Sequence, residues 1–167
     1  MHKLALAGVA IAAVFSVSPA FACDTINSKT VGISACIDDG EWELRAPQGD
    51  QEFLYFSIDQ RVGFTIITEK ESFTPTDFRK AVLINGKNAN NGKDVQVVAE
   101  RVESVGGKSW NVMEYQFGEP GQELVFQNFY YTQPDFGSVQ VVFWSIPGDA
   151  TVAAYRAGTV LSSLGYR

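Results

Sequence analysis

The sequence predicts an α+β domain, an antiparallel sheet of about six to seven strands with helices packed on it in the manner of an αβα sandwich. Three observations carry this. Short runs rich in β-branched and aromatic residues recur along the chain, each ending at a cluster of Gly, Asp, Asn or Pro. Two segments in the body of the chain have helical periodicity, and each follows a block of strands. The turns between successive runs are too short for crossover connections, so neighbours pair antiparallel.

The chain opens on an export signature. His2-Lys3 is a short basic region, Leu4 to Val17 is an uncharged apolar run, and Ser18-Pro19 breaks it before Ala20-Phe21-Ala22, an A-x-A cleavage site. The run is too short to anchor the chain in a bilayer, and no later stretch approaches transmembrane length. Residues 1–22 are therefore expected to be a cleaved signal peptide and residues 23–167 one globular domain, without an internal repeat or a linker.

Cleavage after Ala22 leaves Cys23 at the new N-terminus, thirteen positions before Cys36. The two cysteines are an even pair in an oxidising compartment, which favours a disulfide that pins the N-terminus beside the first strand. Acylation of Cys23 as a lipid anchor is the competing fate, but Ala20 and Phe21 fit a lipobox poorly.

Val31 to Ile37 reads as a strand, followed by the turn Asp38-Asp39-Gly40 and a short strand from Trp42 to Arg45. Glu52 to Ile58 and Val62 to Glu69 form the next pair across Asp59-Gln60-Arg61. A helix then starts at Thr74, an N-cap, with Pro75 at its first position and Asp77 in its first turn. Phe78, Ala81 and Val82 make its apolar stripe, and Asn85-Gly86 is the expected stop. Gly86 to Asp94 reads as a polar, Asn-rich loop. A meander follows over Val95 to Ser104, Ser109 to Phe117, Glu123 to Thr132 and Val139 to Ile146, turning at Gly106-Gly107, Gly118 to Gly121 and Gln133 to Asp135. Asp149 is the expected cap of a last helix, in which Ala153, Ala157, Val160, Leu161 and Leu164 recur on one face before Gly165 stops it.

Composition narrows the function classes. The chain has 13 Lys+Arg against 19 Asp+Glu, a net charge of −6, and loss of Lys3 with the signal makes the mature body one charge more negative. Nucleic acid and anionic membranes call for clustered basic residues, so neither is an expected partner. His2 is the only histidine and leaves with the signal. Imidazole-based triads and His-ligated zinc leave with it.

The remaining motifs are near misses. Gly86 to Asp94 has five residues between its glycines and Lys93-Asp94 after them, where a phosphate loop needs four and Lys-Ser/Thr. The acidic run Asp38, Asp39, Glu41, Glu43 offers oxygens for calcium but lacks the glycine-spaced ligand pattern, and reads as a solvated turn. Ser109 lacks the second glycine of a nucleophile elbow. A carboxylate pair, with Glu114 and Glu123 as first suspects, is the remaining route to an envelope hydrolase. No metal site and no cofactor are expected.

Aromatic residues crowd the last two strands of the meander: Phe126, Phe129, Tyr130, Tyr131, Phe143 and Trp144, with Phe136 in the turn between them. Alternation sends them to both faces of the sheet, one to pack under helices and the other to pack likewise or to present a binding surface.

Val31-Gly32-Ile33-Ser34 leading to Asp39-Gly40-Glu41-Trp42, then Val102 to Gly107 before Trp110, Gln127 to Thr132, Val139 to Ile146, and the closing Leu161-Ser162-Ser163-Leu164 together resemble the PsbP-like superfamily, including its Mog-type and exported DcrB-type bacterial members. The resemblance implies an αβα sandwich that binds or stabilises partners and has no shared catalytic residues. The Cys23 and Cys36 pair and the Asn-rich loop depart from that pattern. The resulting expectation is a periplasmic or secreted, non-enzymatic domain that engages a partner protein or small ligand of the cell envelope through Trp144, Tyr130, Tyr131 and Phe129. The rivals are the carboxylate hydrolase and an inhibitor or immunity protein against an envelope-acting toxin.

Overall fold

The structure is a computed structural model that describes residues 22–166, so the signal peptide over 1–22 lies almost wholly outside the described residues. The strands fall into two sheets. A three-stranded sheet holds β1 (Cys23–Asn27), β2 (Ile33–Asp38) and β10 (Gly165–Tyr166) in the order β1-β2-β10. A seven-stranded antiparallel sheet holds β3 (Trp42–Arg45), β4 (Phe53–Ser57), β5 (Val62–Glu69), β6 (Gln96–Val105), β7 (Lys108–Phe117), β8 (Leu124–Gln133) and β9 (Gly137–Ser145), in the order β3-β4-β5-β9-β8-β7-β6. Two helices complete the α+β fold, α1 (Pro75–Ala89) and α2 (Ala150–Ser163).

Strand alternation divides the large sheet's core in two. Phe64, Ile66, Trp110, Val112, Phe129, Val141 and Phe143 point to one face, where Ala153, Ala157, Val160 and Leu161 of α2 and Ile26, Ile33, Ala35 and Ile37 of the small sheet cover them together. Met113, Tyr115 and Tyr130 point to the other face, under Phe78 and Val82 of α1. The layers are therefore helix plus small sheet, large sheet, helix.

Four sequence expectations are corrected. The first helix does not stop at Asn85-Gly86 but runs to Ala89, so the expected loop from Gly86 is half helix. Gly86 is buried, and a Cβ there would lie 3.2 Å from the Tyr115 ring and 3.1 Å from Val95, so this glycine permits a close helix–sheet approach instead of ending the helix. Asp149 does not cap α2 through its side chain, because Pro147–Asp149 first forms a 3-10 turn. Its carboxylate accepts from Arg61 instead, with Nε at 2.9 Å. Beyond Leu164 the chain does not simply stop: Gly165 pairs with Ser34 of β2. Finally, Cys23–Asn27, assigned no element from sequence, is a strand paired with β2. The disulfide between Cys23 and Cys36 is present and joins these two strands.

Thr74 caps α1 as expected, its Oγ1 accepting from the backbone N–H of Asp77 at 3.2 Å. The hydroxyl donates to Asp77 Oδ2 at 2.7 Å, and together with Lys80 it holds that carboxyl below the usual carboxylate range.

Candidate functional site

α1 packs over the β7 and β8 part of its face, where Phe78 stacks on Tyr130 with ring centroids 5.0 Å apart. The β4, β5 and β9 part of the same face carries Leu54, Phe56, Gly63, Thr65, Val142 and Trp144, in the registers Leu54↔Thr65↔Val142 and Phe56↔Gly63↔Trp144. Phe56 and Trp144 belong to neither helix-covered cluster and are half-buried.

Gly63 is the reason Trp144 lies where it does. A Cβ at that position would sit 2.3 Å from the Cε2 and Cζ2 atoms of the indole, so the ring rests directly on the glycine backbone of β5. Phe56 meets the indole edge-on, with centroids 5.6 Å apart and planes at 78°. Leu124, the first residue of β8, and Ile146, just past the end of β9 and 54% exposed, extend this surface.

Two hollows follow this surface. One of about 170 Å³ is lined by Phe56, Gly63, Leu124, Trp144 and Ile146. The second, of about 400 Å³, is lined by Arg45, Gln48, Leu54, Phe56 and Gln60. Phe56 and Gln60 line both, so the two hollows adjoin at these residues and form a groove beside Trp144, on a part of the face where Leu54, Thr65 and Val142 are themselves buried.

The turn at the groove's rim is fixed from behind. Asp59 accepts from Ser57 Oγ at 2.6 Å and from the Arg156 guanidinium of α2 at 3.0 and 3.1 Å. Arg156 and then Ser57 hold the Asp59 carboxyl far below the ordinary carboxylate range. Arg156 also donates to Glu41 at 2.6 Å and lies 5.8 Å from the Trp42 ring centroid, so one side chain ties α2 to both the β4–β5 turn and the start of β3. Gln60 takes a positive φ of 59° in this turn.

The four residues expected to bind are not on one surface. Phe129 is 3% exposed beneath the α2 layer, and Tyr130 is 6% exposed beneath α1 on the opposite face. Tyr131 is half-buried against Trp110, with centroids 5.8 Å apart. Trp144 alone of the four lies on the open half-face. Phe56, Leu124 and Ile146, which join it there, were not singled out from sequence. The signal that could have found them is Gly63, a glycine inside a strand pattern, which marks a close approach by another group.

The carboxylate suspects have structural partners. Glu114 accepts from Arg101 Nη1 at 2.6 Å, and Glu123 from the backbone N–H of Gly121 at 2.9 Å. In the acidic run, Asp38 accepts from the N–H of Gly40 at 2.8 Å, Glu41 pairs with Arg156, and Glu43 with Arg45 at 2.6 Å. Among the described residues no group of three or more His, Cys, Asp or Glu is placed to hold a metal ion.

No protein-family model matches the chain, and no curated protein matches it in sequence. Solved structures match it in fold. The solution structure of cyanobacterial PsbP (CyanoP) from Synechocystis superposes with a TM-score of 0.62 at 13% identity, covering 94% of this chain and 99% of that one. A crystal structure from Bacteroides thetaiotaomicron superposes with a TM-score of 0.58 at 15% identity over 87% of this chain, which spans only 49% of that protein. The fold is thus PsbP-like, as the resemblance in the sequence implies.

Proposed function

We propose that the mature chain is an exported, non-enzymatic domain of the cell envelope that binds a partner protein through the open aromatic half-face built on Trp144 and Phe56. The observation that carries this reading is the indole lying on Gly63, half-exposed, over a part of the sheet that neither helix covers. An amphipathic aromatic fixed by its backing, flanked by an apolar groove with an Arg and Gln rim, is what protein-binding surfaces are made of. Of the four residues expected from sequence, Trp144 is kept as a binding residue, while Phe129, Tyr130 and Tyr131 act by supporting the sheet. Export is supported by the leader pattern of residues 1–22 and by the disulfide, which persists in oxidising compartments. No helix among the described residues is long and apolar enough to cross a membrane. A non-enzymatic role is supported by the partners of Glu114 and Glu123 and by the place of the one histidine, His2, inside the leader pattern.

The test uses the mature protein as bait in envelope extract beside the double variant Phe56→Ala/Trp144→Ala. The reading expects a discrete partner with the first and at least a tenfold loss with the second, at a retained cooperative melt. A partner captured equally by both baits would remove the half-face from the account.

A further inference from the structure

At the opposite end of the large sheet from β3, β6 is the terminal strand, and among the described residues no strand pairs with its outer edge. It is ten residues long, and Val102 is 67% exposed. Edge strands are usually blunted by bulges and charges. The bulge here is confined to Val97/Ala99, while from Ala99 to Val105 the ladder with β7 is regular.

The charges of that regular stretch are ordered by face. Arg101 pairs with Val112 and Glu103 with Trp110, so both point to the α2 face. Glu100 pairs with Met113 and Val102 with Asn111, so both point to the α1 face. When a second copy joins this edge antiparallel about a two-fold axis normal to the sheet, the faces are preserved and each residue meets one of its own face. Only registers centred on a residue are then allowed. Centring on Glu100, Arg101 or Glu103 puts identical charges opposite each other on the axis. Centring on Ala99 enters the bulge, and centring on Ser104 runs off the strand.

Centring on Val102 does neither. It sets Val102 against its symmetry mate, Arg101 against Glu103 on both sides of the axis, Glu100 against Ser104, and Ala99 against Val105. Arg101 is already held on that face, donating to Glu114 Oε1 at 2.6 Å and to Glu103 Oε2 at 3.1 Å within the chain. The same cation, which holds two carboxylates within the chain, thus faces a third across the axis. Cross-strand pairs of opposite charge and of β-branched residues are the units that stabilise sheets.

We propose that β6 is a self-association edge, and that two copies of this chain pair antiparallel along Ala99 to Val105 with the axis at Val102, giving one continuous sheet across both molecules. The groove at Trp144 lies three strands away from this edge and stays open in such a dimer.

Charge exchange tests the register directly. Analytical ultracentrifugation of the mature protein over about three decades of concentration, micromolar to millimolar, is expected to show a monomer–dimer equilibrium. Arg101→Glu faces Glu with Glu across the axis twice, and Glu103→Arg faces Arg with Arg, so each alone is expected to weaken association about tenfold or more. An equimolar mixture of the two restores both opposite-charge pairs and is expected to recover a heterodimer within about threefold of the wild-type constant. Val102→Glu is expected to leave monomer at every concentration. Melting curves of each variant report whether the monomer still folds. Wild-type protein that is monomeric throughout, a dimer unaffected by these changes, or a mixture no better than its separate components each overturns the proposal.

Discussion

Replacing Cys23 and Cys36 together by Ser tests how the N-terminal strand is held. The bond closes a separation of 13 residues. Chain-entropy loss for a loop of this size gives a stabilisation of about 3 kcal/mol. That figure applies in full only if β1 opens together with the rest of the domain. The structure pins β1 at both ends: the disulfide at Cys23, and beyond Asn27 the Ser28 hydroxyl, which donates to Glu52 Oε2 at 2.7 Å, while the N–H of Lys29 donates to Glu52 Oε1 at 2.5 Å. Thr68 of β5 donates to the same Glu52 carboxylate. In between, Ile26 is buried in the core shared with α2. A domain of this size shifts its Tm by about 3 °C per kcal/mol, so the double variant should melt about 9 °C lower. The assay is calorimetry of the mature protein and of the variant in the same non-reducing buffer, with reduced wild-type protein as a second route to the same state. A drop below about 3 °C in both would refute the reasoning, since the bond would then fasten a strand that frays independently of the domain.

Three further outcomes follow from single contacts. Gly63→Ala places a Cβ where the indole now lies, so Trp144 should swing off the sheet, with a changed emission spectrum, a stability loss of about 1–3 kcal/mol and loss of partner binding. Burial, with Asp24 adding to it, pushes the Tyr55 phenol from 10.0 up to about 12, which corresponds to about 3 kcal/mol. Because the folded value is raised, this stability is fully present below pH 10 and lost as pH climbs from 10 to 12. Urea melts across that range should show Tyr55→Phe lacking this part of the alkaline loss. At neutral pH the variant should differ from wild type by less than about 1 kcal/mol, because the Tyr55 hydroxyl has no hydrogen-bond partner among the described residues. Arg156→Lys keeps the charge but gives up the planar fork that reaches Glu41 and Asp59 together, and should lower stability by about 1–2 kcal/mol in the same melts.

Local chemistry made most elements readable from sequence. The Thr74 cap, the alternating runs of the meander and the glycine-rich turns specify their own conformations, and each is found where it was expected. The misreadings share one cause, a residue whose role is set by something distant in the chain. Gly86 reads as a stop until Tyr115 is seen against it. Asp149 reads as a cap until Arg61, 88 residues away, takes its carboxylate. Cys23-Asp24-Thr25-Ile26-Asn27 has a single buried apolar residue and no pattern of its own, and becomes a strand because β2 and the disulfide hold it. The candidate site divides in the same way. Trp144 was legible as an aromatic in a strand. Alternation alone sends residues 129–131 to opposite faces, but which half of the Trp144 face α1 leaves uncovered depends on helix placement, which no local pattern reveals.

The central claim is that the open half-face around Trp144 is where the partner sits. Photo-crosslinking in living cells measures this whatever the partner's identity, with a photoreactive phenylalanine analogue placed at position 56 and, as a control, at Tyr155, which is 77% exposed on α2. The account predicts a discrete heavier adduct from position 56, lost when Trp144→Ala is added, and none from position 155. An adduct that forms from position 155 and not from position 56 would contradict it.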